Sequence, residues 1–308
     1  MNEVNGILNL IKPVGWTSMD VVRKLKRLTR QKKVGHAGTL DPEATGILPI
    51  CFGQATRVME YLVDSPKSYE AVIKLGISTD SYDAVGAIVK SQDPSNITQA
   101  DVENGLLKYV GAFDQVPPMY SALKKDGERL YNLARAGKEV VREPREVNIY
   151  NLEVLEYNLP EIRLLVECGR GMYVRSLAHD LGEDLGCGAH LKELKRVSSG
   201  PFNFSNAISV EEAEHACVNE AWQGFLFPVD FPLSKFKAAV VKDEKRQAVI
   251  MGQSVYLGFP SNLDSAQDMC RLYSEDGMFL ALMGLGKTRG VWKANKVFNL
   301  NLNGRMQD

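Results

Sequence analysis

Val34-Gly35-His36-Ala37-Gly38-Thr39-Leu40-Asp41-Pro42-Glu43-Ala44-Thr45-Gly46 is the stretch whose reading decides the fold. It lies between a basic segment and the apolar run Ile47 to Phe52. One carboxylate, Asp41, is fixed between Leu40 and Pro42. A residue before proline is pushed to extended geometry, and Asp-Pro initiates turns. Asp41 is therefore expected to project from a tight, preset loop. Gly35, Gly38 and Gly46 let backbone or ligand approach closely. Taken alone, Asp41 reads most simply as an ordinary turn residue. The rest of the chain has to decide.

Immediately upstream, Gly6 to Pro13 reads as a strand closed by proline, and Trp16-Thr17-Ser18 offers a helix cap. Met19, Val22, Leu25 and Leu28 recur every three residues, which predicts a helix from about Ser18 to Arg30. Its other faces carry Arg23, Lys24, Lys26, Arg27 and Arg30. Residues 1–33 hold eight basic and two acidic residues, although the whole chain has a net charge of −1. Such a local basic face suits a polyanion; a merely solvated helix face is the alternative. A second basic patch runs from Lys124 to Arg145.

Downstream, Ile47 to Phe52 reads as a buried strand and Thr56 to Leu62 as a short helix. Tyr69 to Gly76 alternates like a strand with one wet face, and Thr79 to Gly86 is a polar loop. Thr98-x-x-Asp101 and Ser209-x-x-Glu212 resemble capping boxes. Met119 to Lys124 reads as a strand, Arg129 to Ala136 as a helix, and Val147 to Tyr157 with Ile162 to Cys168 as a strand pair. A helix opens at Met172-Tyr173-Val174-Arg175, and Ala189 to Val197 is extended. The proline-rich Phe227 to Pro232 marks a domain boundary, giving domains 1–230 and 231–308. Beyond it strands are expected at Ala238 to Val241, Gln253 to Leu257, Met269 to Tyr273, Met278 to Met283 and Lys296 to Leu300, with a hairpin at Asp276-Gly277.

Apolar content of 44% and charged content of 24% over 308 residues are ordinary for a globular protein with one large or two medium domains. No apolar run reaches the roughly 18 residues a membrane helix needs, and no signal peptide is visible. The five cysteines are scattered, which predicts reduced thiols and a cytoplasmic setting. The four histidines show no metal spacing. Gly284-Leu285-Gly286-Lys287-Thr288 is not a phosphate loop, because Ala281 stands where its first glycine is needed. Neither a dinucleotide fingerprint nor a hydrolase nucleophile elbow is present. Any chemistry is expected to need no cofactor and no metal.

Gly35 to Gly46 resembles the active-site loop of the bacterial tRNA pseudouridine synthase B family, which acts on tRNA position 55. Leu10-Ile11-Lys12-Pro13, Tyr69, Tyr120 to Lys124, Gly171 to Arg175 and Gly186 to Leu191 match in order, so the resemblance covers about residues 6–230. The last domain looks like a PUA RNA-binding module. Ala37 and Met172 stand where the family often has threonine, and each removes a hydroxyl but no charge. The resemblance implies an α+β fold, with a mixed, mostly antiparallel central sheet and a small C-terminal PUA-like β-barrel. It implies isomerisation of uridine to pseudouridine in the T loop of tRNA, by base flipping. The partner is the T arm of tRNA, with no membrane and no obligate protein partner, and the chain is expected to work as a monomer.

The same resemblance assigns roles. Asp41 matches the nucleophilic aspartate, and Arg175 the arginine paired with it. An aspartate is ionised at neutral pH without help, so the arginine's contribution is orientation and charge balance. Tyr69 matches the aromatic that stacks on the target base. Tyr173 and Leu194 match positions lining the uracil pocket. His36 matches the residue that enters the T loop and fills the space of the flipped base. Arg23, Lys24, Arg27 and Lys124 are expected on the RNA backbone, where contacts give affinity without reading sequence.

Overall fold

The computed structural model describes residues 3–300 apart from 122, 126, 139, 258–268, 287 and 289, and excludes the side chains of Lys124, Lys125, Arg129 and Arg135. The chain forms two compact units. One comprises Met1–Asp41, Ile47–Val63 and Gly200–Asp308; the other comprises Pro42–Gly46 and Asp64–Ser199. The chain thus passes between units on either side of Pro42–Gly46, directly after Asp41.

In the first unit, β1 (Gly6–Lys12) is buried along almost its whole length. Helix α1 (Ser18–Thr29) starts at Thr17 in a reciprocal capping box with Asp20. The Asp20 N–H donates to Thr17 Oγ1 (3.1 Å) and the Thr17 N–H to Asp20 Oδ2 (2.9 Å). A cap of this kind contributes about 1 kcal/mol. The expected apolar stripe is corrected: Met19 is exposed, and Val21 joins Val22 and Leu25 in the buried face. A helix of 3.6 residues per turn drifts off a strict three-residue repeat. The loop stretch itself begins as a strand, β2 (Val34–His36), paired antiparallel with β3 (Thr45–Phe52). The helix expected at Thr56 to Leu62 is a 3-10 turn over Gly53–Val58 followed by α2 (Met59–Asp64).

The second unit is built on β4 (Lys67–Leu75). A hairpin of β5 (Ile77–Thr79) and β6 (Ile88–Ser91) follows, then α3 (Gln99–Leu107), capped by the predicted Thr98–Asp101 box, and β7 (Gly111–Gln115). The strand expected at Met119 to Lys124 is reduced to β8 (Lys124–Lys125), which pairs with β9 (Glu128–Arg129). The Ser121 N–H donates to Met119 O (2.9 Å), a tight turn in place of a ladder. Helix α4 (Leu130–Arg135), the long β10 (Arg145–Asn158), β11 (Glu161–Cys168), α5 (Val174–Asp184) and β12 (Ala189–Ser199) complete the unit. The sheet order is β12-β4-β11-β10-β7, antiparallel throughout. Thr45 and Gly46 of β3 add parallel pairs to Lys195 and Arg196 of β12. The core packs Val174, Leu177, Ala178 and Leu181 of α5 on Ala71, Ile73, Leu164 and Val166 of the sheet.

The chain then returns to the first unit. After β13 (Phe202–Asn203), β14 (Ile208–Ser209) pairs parallel with β1, and α6 (Val210–Val218) opens with the predicted Ser209–Glu212 box. β15 (Leu226–Phe227) pairs antiparallel with β1. The C-terminal β-rich module follows: β16 (Lys237–Val241), α7 (Asp243–Ile250), β17 (Val255–Tyr256), β18 (Met269–Ser274), β19 (Phe279–Leu285) and β20 (Val291–Val297). Its five strands run β16-β18-β19-β20-β17 in a curled sheet with one parallel pair, β16–β18. The last strand lies earlier than its apolar end suggests, and α7 is an addition, because Asp-Glu-Lys-Arg-Gln carries no apolar stripe. Tyr273, Phe279 and Phe298 share a core with Ala55, Val58 and Leu62. Lys296 pairs with Glu60 at 2.7 Å, and the Arg57 guanidinium sits 5.1 Å from the Phe298 ring centroid.

Candidate active site

Asp41 ends the first unit's share of the loop, and the chain is pinned just before it. The Leu40 N–H donates to Ser18 Oγ (2.9 Å), and the Ser18 hydroxyl donates back to Leu40 O (3.1 Å). Ser18 is buried at the start of α1, so the capped basic helix also anchors the loop. Earlier in the loop the Ala37 N–H donates to Pro49 O (2.9 Å). Gly38 sits at φ 110°, in space that favours glycine. Asp41 is left half-buried, as is His36 at the end of β2.

Past Asp41, Gly46 closes the loop at φ 108° against the backbone of Arg196. A Cβ at Gly46 would fall 2.2 Å from Arg196 O, so only glycine permits this approach. The expectation of a tight, preset loop is met by these hydrogen bonds and this contact.

In the second unit, Tyr173 and Arg175 stand at the N-terminus of α5. Tyr173 is the N-cap and supplies no side-chain cap. Gln115, buried at the end of β7, holds it instead. The Tyr173 N–H donates to Gln115 Oε1 (2.8 Å), and Gln115 Nε2 donates to Tyr173 O (3.1 Å). Arg175 is buried, with Nη1 3.5 Å from Asp83 Oδ2. Removing water from a guanidinium is expensive, and a facing carboxylate offsets part of that. Tyr69 lies on β4 opposite Val166 and Arg196, and Leu194 on β12 opposite Ala71. Both pack against the core beneath α5. This unit therefore collects Tyr69 and Leu194 under the helix whose first turn carries Tyr173 and Arg175.

Two buried cations accompany Tyr69. Lys67, two residues before it on β4, and Arg196 are both nearly inaccessible. Burial, then the Arg196 charge, push the Lys67 ammonium down to about 8. Its Nζ donates to Ser65 O (2.6 Å). The thiol of Cys168, opposite Lys67 on β11, is pushed up to about 12 by burial.

Among the basic residues, Arg23 pairs with Asp20 at 2.6 Å, and Lys24 pairs with Glu214 of α6. Arg27 is exposed and makes no ion pair among the described residues. These three cations, with Gly15, Trp16 and Asp20, line an open cleft of about 510 Å³. The Lys124 side chain lies outside the described residues.

Ser18, Asp83 and Gln115 are supports that sequence reasoning misses. Ser18 reads only as part of a helix cap, Asp83 as one polar residue of a loop, and Gln115 carries no signal. Their partners lie 22, 92 and 58 residues away in sequence.

Residues 26–174 match the family model described as TruB family pseudouridylate synthase (N terminal domain). Residues 175–234 match the one described as tRNA pseudouridylate synthase B C-terminal domain. A Clostridium tetani protein named tRNA pseudouridine synthase B is 42% identical over 295 residues, covering 96% of this chain and 99% of that protein. A Pseudomonas fluorescens protein of the same name is 46% identical over 245 residues, covering 77% of this chain and 80% of that one. Among solved structures, a chain of a Cbf5-Nop10-Gar1 complex superposes with a TM-score of 0.73 at 27% identity, covering 95% of this chain and 84% of that one.

Proposed function

The chain belongs to the TruB family of tRNA pseudouridine synthases and isomerises uridine to pseudouridine in tRNA; on that premise we propose that its target is the T-loop uridine at position 55 and that Asp41 is the nucleophile. The observation that carries this reading is the loop itself. A carboxylate in the family's motif follows a residue held by two reciprocal hydrogen bonds to Ser18. Pinning of this kind favours reaction by fixing the attack geometry before substrate arrives. A carboxylate forms covalent adducts readily enough to serve.

The reaction breaks the bond from N1 of uracil to C1′ of ribose and makes a bond from C5 to C1′. C5 loses a proton and N1 gains one, so atoms and electrons balance with no oxidant or reductant. That balance calls for no redox cofactor, and in this reading the chain works without cofactor or metal. Arg175 orients Asp41 and balances its charge. Tyr69 stacks on the flipped base, a contact contributing about 1–3 kcal/mol. Tyr173 and Leu194 line the uracil pocket, and His36 fills the space the base leaves. Arg23, Lys24, Arg27 and Lys124 hold RNA phosphates, and residues 231–308 form a PUA-like RNA-binding domain. The enzyme works as a cytoplasmic monomer with no obligate partner.

The test is to incubate the purified chain, without cofactor, with unmodified tRNA and with a T-arm stem-loop, and to map pseudouridine. Modification of the single T-loop uridine in both is expected. Asp41→Asn should retain tRNA binding and form no product. Product from that variant would overturn the nucleophile assignment, and modification elsewhere the choice of target.

A further inference from the structure

We propose that Tyr82 and His179 are positioning residues for Arg175, their stacked rings holding the Thr79–Gly86 loop in the one conformation that presents Asp83 to the guanidinium. The proposal rests on the reading that Arg175 serves the reaction. It concerns two aromatic residues that no part of that reading uses.

Arg175 and His179 lie one turn apart on α5, so they share a helix face. They meet consecutive residues of one loop. Arg175 faces Asp83 at 3.5 Å, and His179 stacks on Tyr82 with centroids 3.9 Å apart and planes 12° apart. The helix thus grips the loop at two adjacent points, one ionic and one aromatic.

The loop needs such a grip because its backbone is strained at this place. Tyr82 sits at φ 67°, left-handed space that a bulky residue rarely adopts. Strain of this sort persists only where the surroundings over-determine it. Here they do. The Tyr82 N–H donates to Thr79 O (3.2 Å), and Tyr82 O accepts from the Leu191 N–H of β12 (2.9 Å). Thr79 Oγ1 donates to Asp83 O (2.7 Å), and Ser81 Oγ to Asp83 Oδ1 (2.5 Å). Asp83 therefore has one carboxylate oxygen held by its own loop and the other turned to Arg175. Ala84 and Val85, the next residues, are exposed and add no packing.

His179 holds its place by stacking. Its Nδ1 is buried and makes no hydrogen bond among the described residues. Burial, with the nearby Arg142 charge, lowers its proton affinity, while Glu183 opposes this. The ring that faces Tyr82 is thus kept neutral, and adds no third cation beside Arg142 and Arg175. A neutral imidazole stacked flat on a phenol ring is a packing element, and a phenylalanine ring could replace either partner.

The experiment compares Tyr82→Ala, Tyr82→Gly, Tyr82→Phe, His179→Ala and His179→Phe in the full chain, by steady-state kinetics on unmodified tRNA and by thermal unfolding. Misplacement of a supporting group by about 1 Å costs on the order of a hundredfold in rate. The alanine variants are expected to lose kcat by about that factor, with KM changed less than about threefold, since the RNA-binding surface is untouched. The phenylalanine variants should recover most of kcat. Tyr82→Gly removes the ring yet accepts the positive φ without strain, so it should stay folded and still lose kcat. The Tyr82→Ala/His179→Ala double variant should be no slower than either single, because each single change already abolishes the one stack. Alanine and glycine variants with near-parental kcat would overturn the proposal, as would phenylalanine variants that fail to recover. Arg175→Ala is the control. If it remains active, the reading of Arg175 fails; if it is inactive while the ring variants are not, only this proposal fails.

Discussion

Replacing Gly46 by alanine tests whether the Asp41 loop is mounted as the geometry indicates. The added Cβ would lie 2.2 Å from Arg196 O, 2.8 Å from Arg196 N and 2.9 Å from Arg196 C. All three are backbone atoms of β12, so no side chain can swing aside. A carbon–oxygen contact is comfortable at about 3.3 Å, which requires the strands to part by about 1 Å where Gly46 pairs with Arg196. The φ of 108° adds strain of roughly 1–2 kcal/mol for any residue with a Cβ. Overpacking adds roughly 1–3 kcal/mol. The expected loss is therefore about 2–5 kcal/mol, or roughly 3–8 °C in melting temperature for a chain of this size. Gly186→Ala is the comparison, because Gly186 also has positive φ (74°) but nothing within 4 Å of a built Cβ. It should lose only the conformational part, about 1 kcal/mol. Thermal unfolding of both variants, with pseudouridine formation measured well below either melting point, separates the effects. Gly46→Ala should also lose activity in that range, because Pro42–Gly46 is the arm that leaves Asp41. Equal melting temperatures for the two variants would refute the close-approach argument.

Other outcomes follow from the surface and from titration. Charge reversal at Arg23, Lys24 and Arg27 should weaken tRNA binding and lower the slope of log affinity against log salt by roughly one for each phosphate no longer neutralised. Among single changes Arg27→Glu should matter most, since Arg23 and Lys24 already face Asp20 and Glu214; an unchanged slope in the triple variant would place α1 away from RNA. Asp180 of α5 is pushed up to about 6 by burial, and then by Asp184 and Glu183. The folded state thus favours the neutral acid, so its stabilising effect is complete below the unfolded value of 3.8 and is lost as pH rises through about 6. Asp180→Asn should raise the melting temperature at about pH 7.5, by about 1–2 kcal/mol in stability, and change little near pH 4. A difference independent of pH would refute the assignment.

Features set by neighbouring residues are legible in the sequence. The capping boxes Thr98–Asp101 and Ser209–Glu212, and the helix starts they define, depend on a residue and its third successor. The hairpin at Asp276-Gly277 is likewise local, as the Gly277 N–H donates back to Ser274 O (3.0 Å). Val34–His36 does not read as a strand because three residues carry no period and its partner begins nine residues later. Helix α7 is hidden because Asp243 to Gln247 is polar on every face. Met19 falls on a different face from the one its spacing suggests, because a three-residue repeat and a 3.6-residue turn diverge within α1.

By itself, the sequence determined the motif-bearing loop, the family and the class of reaction. Asp41 between Leu40 and Pro42, the glycines around it, Tyr69, Tyr173 and Arg175 are identities at positions, and identities survive without coordinates. Only the tertiary structure decided what holds those groups still. Ser18 on Leu40, Gln115 on Tyr173, Asp83 on Arg175 and His179 on Tyr82 each join residues far apart in the chain. It also decided that the C-terminal sheet shares a core with Ala55, Val58 and Leu62. The physical reason is common to all of these. Turn, cap and strand preferences act over a few neighbouring residues, whereas a hydrogen bond or a stack between distant residues exists only after hydrophobic burial has brought their elements together.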